Sequence, residues 1–268
     1  MPIGSITRGT TGTNRLRRID RFIAVHPSFL RADAPLVVDL GFGASATTVL
    51  ELQQRLARVR PRTEVVGIEI DPARVVVARA ALERLEVSPP VSFALGGFEV
   101  PLPDGRRATV IRALNVLRQY DEAEVLGHWN RMVARLEPGG RLIEGTCNEV
   151  GRVACWVEVG SAGPLSLTVS LRLAELETPS IVAERLPKIL IHRNVPGEKV
   201  HRLLRDLDRH WHLAAALSSY GPSQRFIQAV TGLRAEGWPI AGSAARWRLG
   251  EVTVRWDAVA PLGFGWRV

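Results

Sequence analysis

The sequence predicts an α/β fold with a doubly wound, mostly parallel sheet and helices on both faces. Short apolar runs at residues 36–40, 65–70, 91–95, 108–114 and 141–146 alternate with stretches of helical periodicity, the pattern of strands covered on both sides. The first run ends in the glycine turn Asp39-Leu40-Gly41-Phe42-Gly43, and the second ends in Glu69-Ile70-Asp71. Both motifs fall at carboxyl ends of strands, where open parallel sheets gather their ligands.

Residues 1–12 are small and polar, which reads as a flexible arm, with Arg8, Thr10 or Thr11 meeting a ligand if the arm folds over the site. Residues 14–25 read as a helix with Leu16, Ile19, Phe22 and Ile23 on one face and Arg15, Arg17, Arg18 and Arg21 elsewhere. A solvated basic face on a docked helix accounts for that pattern. At the first strand, Gly41 and Gly43 permit a tight turn and a close approach of backbone to ligand. The segment Ser45-Ala46-Thr47-Thr48 opens a helix whose Val49, Leu52, Leu56 and Val59 share a stripe. Its unpaired amides and positive dipole end point back at the glycines.

Gly41, Gly43 and Ala46 also fit the dinucleotide fingerprint G-x-G-x-x-[GA]. Asp39 discriminates, since a carboxylate there repels a pyrophosphate and attracts an ammonium and a sulfonium. The pattern D-x-G-x-G therefore favours S-adenosylmethionine over NAD. Glu69, 26 residues beyond Gly43, is placed to accept ribose hydroxyls, and Ile70 beside it to cover an adenine face.

With these residues the chain resembles the class I (Rossmann-like) S-adenosylmethionine-dependent methyltransferases. The glycine motif is similar to Asp39–Gly43, the ribose acid to Glu69, and the late L-x-P-G-G turn to Leu136-Glu137-Pro138-Gly139-Gly140. The resemblance covers residues 34–147, and more loosely 223–257. It implies a seven-stranded sheet and a cofactor site of Asp39, Gly41, Phe42, Gly43, Glu69, Ile70, Gly97, Phe98 and Asn115. Asp39 would hold the loop and the methionine amine, Glu69 the ribose, and Ile70 and Phe98 the adenine. Where such enzymes often offer an acid to the adenine amino group, this chain reads Gly96-Gly97-Phe98-Glu99, so the base meets the backbone at Gly97 and Phe98, or Glu99 substitutes.

Further along, Pro72 in a first turn starts a helix to about residue 85, and Ser88-Pro89-Pro90 breaks it before the third strand. The fourth strand ends in Asn115, and Arg118, Gln119 and Tyr120 border the same end. Asp121 and Glu124 form a capping-box start for a helix burying Val125, Trp129, Met132, Val133 and Leu136. Pro138-Gly139-Gly140 then turns into the fifth strand. Candidates for catalysis are Asn115, Tyr120 and Glu144, the last as a buried base with a raised pKa or as an arginine's partner. Cys147 reads as a packed thiol.

Beyond Cys147, residues 153–159 and 165–173 read as strands, 180–191, 197–216 and 222–236 as helices, and 238–248 with 251–256 as a closing hairpin. The division expected is an arm and helix at 1–30, a core of 31–150 and 222–260, and a substrate-selecting insert at 151–221. The charged stripe His201, Arg205, Asp208 and His212 lacks a metal-binding spacing and reads as a solvated helix face, and no metal site is read.

Composition sets the outer bounds. With 268 residues, 46% hydrophobic and 23% charged, the chain is an ordinary globular one. Membrane spans and a signal-peptide pattern are not seen, so a cytoplasmic protein is expected. The net charge of +8 invites a nucleic-acid partner, yet 33 of the 35 basic residues are arginine, spread without a block. The resemblance implies transfer of a methyl group to a small-molecule acceptor by in-line substitution. RNA as acceptor, an NAD(P)-dependent oxidoreductase, and a non-catalytic binder of S-adenosylmethionine are the alternatives. Oligomeric state is not read.

Overall fold

The computed structural model describes residues 2–9 and 12–266, so Thr10 and Thr11 of the expected arm lie outside the described residues. The chain opens with two helices, α1 (Arg17–Ala24) and α2 (Pro27–Arg31). Strand β1 (Leu36–Leu40) leads into α3 (Thr47–Ala57), β2 (Glu64–Glu69) into α4 (Pro72–Glu83), and β3 (Val91–Leu95) follows. Then come β4 (Ala108–Leu114), α5 (Val125–Val133) and β5 (Leu136–Cys147). The remainder is β6 (Val153–Gly160), β7 (Gly163–Leu171), α6 (Lys188–Ile191), α7 (Lys199–Leu213), α8 (Pro222–Ala235), β8 (Ile240–Ala241), α9 (Ala244–Trp247) and β9 (Glu251–Arg255).

Local chemistry accounts for the starts of these elements. Asp71 caps α4 by accepting from Ala73 N–H at 2.9 Å, with Pro72 in the first turn, where its missing N–H costs nothing. Asp121 and Glu124 close the expected capping box ahead of α5. The stripe of α3 buries Val49, Leu52 and Leu56, whereas Val59 is exposed because the helix ends at Ala57.

Among the described residues one sheet of nine strands runs in the order β3-β2-β1-β4-β5-β6-β7-β9-β8. The first five are parallel, and every pairing from β5 to β8 is antiparallel. This corrects the seven-stranded expectation. Residues 153–171 form a hairpin that continues the sheet from β5, where the expected insert was placed. The expected closing hairpin is reduced to a two-residue β8, a short α9 and a single strand β9, which pairs with β7. Leu136-Glu137-Pro138-Gly139-Gly140 belongs to β5 and forms an irregularity in it. Leu136 pairs with Ala108 and Arg141 with Val110, so five steps on one strand match two on the other.

Strand residues alternate between two apolar layers. Val37, Val65, Val110, Ile143 and Trp156 face α1, α3 and α4, whereas Val38, Ile68, Ile111, Leu142 and Val157 face α5, α7 and α8. Helices thus cover both faces, as a doubly wound sheet requires. The crossover from β3 to β4 has no α-helix; Val100 and Leu102 cover the sheet there.

Candidate cofactor and acceptor site

A cavity of about 510 Å³ opens at the carboxyl ends of β1, β4 and β5. Its wall includes Asp39, Gly41, Phe42, Gly43, Leu114, Asn115 and Cys147, with Thr7, Arg8 and Gly9 of the N-terminal segment closing one side. Gly41 and Gly43 have φ of +71° and +86°, values that a side chain would strain. Asn115 also sits in the left-handed region, at φ +63°, which asparagine tolerates best among residues with a Cβ. Its amide side chain fixes the gap between β4 and β5: Cys147 N–H donates to its Oδ1 at 2.9 Å, and its Nδ2 donates to Cys147 Sγ at 3.3 Å.

Asp39 lines the cavity wall, and its carboxylate is engaged by neighbouring side chains. Asp39 and Arg112 are directly opposite on β1 and β4, and Arg112 donates from Nε at 2.9 Å and Nη2 at 2.6 Å. Thr48 Oγ1 donates to the same carboxylate at 3.0 Å. Arg112 also pairs with Asp20 of α1, which in turn holds Arg55 of α3. Burial works against the Arg112 charge, and the Asp39 and Asp20 carboxylates overcome it, holding the guanidinium above its usual value. Burial raises the Asp20 carboxyl against the pull of Arg112 and Arg55. Asp39 therefore ties the glycine turn to α1 and α3. The signal in the sequence was an acid inside an apolar stripe, Ile19-Asp20 with Ile23.

Glu69, 1% exposed, turns back onto the glycine loop. Its Oε2 accepts Gly43 N–H at 2.9 Å, and its Oε1 accepts Ile70 N–H at 3.0 Å, with Arg74 3.7 Å away. Beside it, Ile70, Gly97, Phe98 and Tyr120 line a second crevice of about 20 Å³. That is room for about one water. Residues 3–7 of the N-terminal segment fill the rest. Tyr120 therefore faces this segment, with its hydroxyl accepting Ser5 N–H at 2.5 Å, and does not line the large cavity. Phe98 stacks on His128 with centroids 3.9 Å apart.

Glu144 lies on the opposite face of the sheet, 0% exposed, and its carboxyl oxygens have no hydrogen-bond partner among the described residues. Burial pushes its pKa up to about 8, and the nearby Trp129 indole lowers it slightly without reaching hydrogen-bond geometry. Among the described residues no arginine pairs with it, and it is absent from the cavity wall. Cys147 is a buried free thiol.

Sequence reasoning did not single out the arginines of the cavity as a group. Arg8, Arg15, Arg118 and Arg185 all line it, against Glu149 and the already paired Asp39. Arg118 is held below its ordinary pKa, first by burial and then by Arg185. They come from three stretches, residues 8–15, 118 and 185, so no local pattern could join them. Of the expected insert, Arg185 is the one residue in the described wall. The helical stripe near residue 205 is occupied elsewhere: Asp208 accepts Ser180 N–H at 2.8 Å, and Asp206 pairs with Arg202, Arg205 and Arg209.

No protein-family model and no curated protein matches the chain. Among solved structures, the mitomycin 7-O-methyltransferase MmcR shares 21% identity over 49% of this chain and 35% of its own, with a TM-score of 0.37. The CcbJ methyltransferase from Streptomyces caelestis shares 19% over 61% of this chain and 68% of its own, at 0.38. The glycopeptide N-methyltransferase MtfA, complexed with S-adenosylmethionine, shares 16% over 50% and 54%, at 0.37. This chain spans about a third of the length of the first of these and about half of the last. Such partial likenesses carry no weight for substrate or mechanism. Strand order and register place the chain among doubly wound α/β folds with an antiparallel extension.

Proposed function

We propose that the chain is an S-adenosylmethionine-dependent methyltransferase whose acceptor is a small molecule with an anionic group. The Glu69 carboxylate on Gly43 N–H carries the cofactor half of this reading. The amide that a dinucleotide's pyrophosphate would use already serves a carboxylate, and a phosphate brought there meets like charge. A ligand with cationic centres and a ribose diol meets favourable charge instead. This replaces the role first expected of Asp39, whose charge Arg112 compensates.

The residues present fit that cofactor. Gly41 and Gly43 admit it to the backbone, Glu69 stands where a diol would sit, and Phe98 N–H and the Glu99 carboxylate form a donor and acceptor pair for a purine edge. When bound, S-adenosylmethionine supplies a methyl group activated by its sulfonium. The protein's part is alignment and water exclusion, since in-line substitution gains most from positioning. Asn115, locked onto Cys147, sets the cavity floor and is a positioning residue. No step falls to Tyr120 or Glu144, which lie outside the cavity wall. Arg118 and Arg185 of the cavity wall favour anions and select an anionic acceptor.

Thermal unfolding with S-adenosylhomocysteine, NAD and NADP tests this. At a hundredfold excess over Kd, a true ligand adds about 2.7 kcal/mol, or ~5–10 °C in Tm. The shift is expected with S-adenosylhomocysteine alone, and a shift with NAD instead overturns the reading. The double variant Arg118→Ala/Arg185→Ala should keep that shift while losing turnover of anionic acceptors.

A further inference from the structure

The N-terminal segment makes the hydrogen bonds that a purine would make. Phe98 N–H donates to the Ile3 carbonyl at 2.9 Å, and Ile3 N–H donates to Glu99 Oε2 at 2.7 Å. Glu99 Oε1 meanwhile accepts Gly97 N–H at 2.9 Å, which orients the carboxylate. One peptide residue thus presents an acceptor beside a donor, the same pair that the amino edge of adenine presents with its ring nitrogen and exocyclic amine. Gly4 continues the likeness. It lies between Ile70 and Phe98, the walls expected for the base, and a Cβ there would stand 2.9 Å from Tyr120 Oη, 3.3 Å from Phe98 and 3.4 Å from Ile70. With φ at +136°, that slot accepts glycine and little else.

Further contacts hold the segment in register. Ser5 N–H donates to Tyr120 Oη at 2.5 Å, and Gln119 Nε2 donates to the Ser5 carbonyl at 3.2 Å. Arg74 donates to the Thr7 carbonyl at 2.8 Å, and Ala44 N–H, at the glycine turn, donates to the Gly9 carbonyl at 3.0 Å. The side chains of Ile3 and Ile6 are exposed, so backbone hydrogen bonds and not apolar burial keep the strap in place. Such a strap is released at modest cost, because its polar groups pair with water once free.

We propose that residues 3–9 are an internal occupant of the adenosine half of the site, a strap that competes with the cofactor and leaves when it binds. The proposal rests on the methyltransferase reading above. Its consequence is a two-state site in which the apparent affinity for the cofactor is its intrinsic affinity reduced by the fraction of molecules with the strap open. Release also returns the Glu99 carboxylate and the Tyr120 hydroxyl to the ligand.

Two full-length variants test it. Ile3→Pro/Ser5→Pro removes the N–H groups that Glu99 and Tyr120 accept, and Gly4→Val forces a β-branched side chain into the glycine slot. Calorimetric titration with S-adenosylhomocysteine should show the proline variant binding about 5- to 30-fold more tightly than the natural chain, as loss of two ordinary hydrogen bonds predicts, and Gly4→Val also binding more tightly because the clash opens the strap. Circular dichroism checks that the fold is kept. In the natural chain, adding S-adenosylhomocysteine should accelerate hydrogen exchange in the peptide spanning residues 2–9, the reverse of the protection a ligand usually confers. Weaker or equal binding by both variants, or slower exchange on adding the ligand, overturns the strap and makes the segment a lid over the cofactor. If neither the natural chain nor the variants bind S-adenosylhomocysteine, the methyltransferase reading itself fails, and the strap with it.

Discussion

Arg112 shows how much a single residue can decide here. It is 0% exposed and bridges Asp39 of β1 to Asp20 of α1, with Thr48 contributing a carbonyl at 3.1 Å. Removing one member of a buried ionic cluster leaves its partners charged and unpaired, which costs far more than the cluster itself contributes. Arg112→Met should destabilise the fold by about 3–5 kcal/mol in urea unfolding. Glu144 is the opposite case, a carboxyl with no hydrogen-bond partner among the described residues. Its pKa, pushed up to about 8 from 4.5, means that the native state holds a proton the unfolded chain has released between those values. The stability this proton contributes is full below pH 4.5, falls as pH rises, and is gone above about 8. Glu144→Met should abolish that slope and raise stability by ~1–3 kcal/mol at pH 8, measured as Tm across pH 4–9. An unchanged slope would place the titration elsewhere.

At the scale of elements, the site depends on how closely β5 passes β6. Gly145 lies opposite Trp156, and a Cβ there would collide with the Cys155 carbonyl and stand 2.6 Å from Trp156 Cα. Both are backbone atoms that cannot step aside. Gly145→Ala should therefore cost about 2–3 kcal/mol and loosen the Asn115–Cys147 contact at the strand ends, read as a fall in Tm together with weaker S-adenosylhomocysteine binding. Elements carried by local rules were legible in the sequence. The apolar runs of β1 to β4, the Asp71 cap and the Asp121 box each announce themselves within a few residues. The Leu136-Glu137-Pro138-Gly139-Gly140 stretch reads as a turn from its glycines, and Gly139 has φ +81°; the stretch sits within β5 as an irregularity in which residues 137–140 have no register partner on β4. The closing hairpin is present but shorter than expected: Ile240 and Ala241 pair with β9, and after Ser243 the alanines start a short helix, α9.

For the whole molecule, the +8 net charge looks like a footprint for nucleic acid until the arginines are placed. Many of them serve as staples. Arg79 donates to the Phe93 carbonyl, Arg107 to those of Ala134 and Leu136, and Arg135 to those of Val100 and Leu102. Others line the cavity at the carboxyl ends of β1, β4 and β5. On the proposed reading that excess draws a small anion into the cavity, and salt-dependent retention of RNA would instead point to a phosphate backbone. Among the described residues no helix is long and apolar enough to cross a membrane.

The sequence by itself determined the parallel half of the sheet, the glycine turn at Gly41 and Gly43, and the position of Glu69 at its strand end, because each follows from periodicity or backbone freedom over fewer than about ten residues. Tertiary structure alone decided three things: that Asp39 faces Arg112 across two strands, that Arg8, Arg15, Arg118 and Arg185 share a cavity, and that the backbone of Ile3 pairs with Phe98 and Glu99. Asp39 and Arg112 are 73 positions apart, Arg8 and Arg185 177, and Ile3 and Glu99 96. No local rule reaches that far, since such contacts are set by how the layers pack and by where buried charge must find a partner.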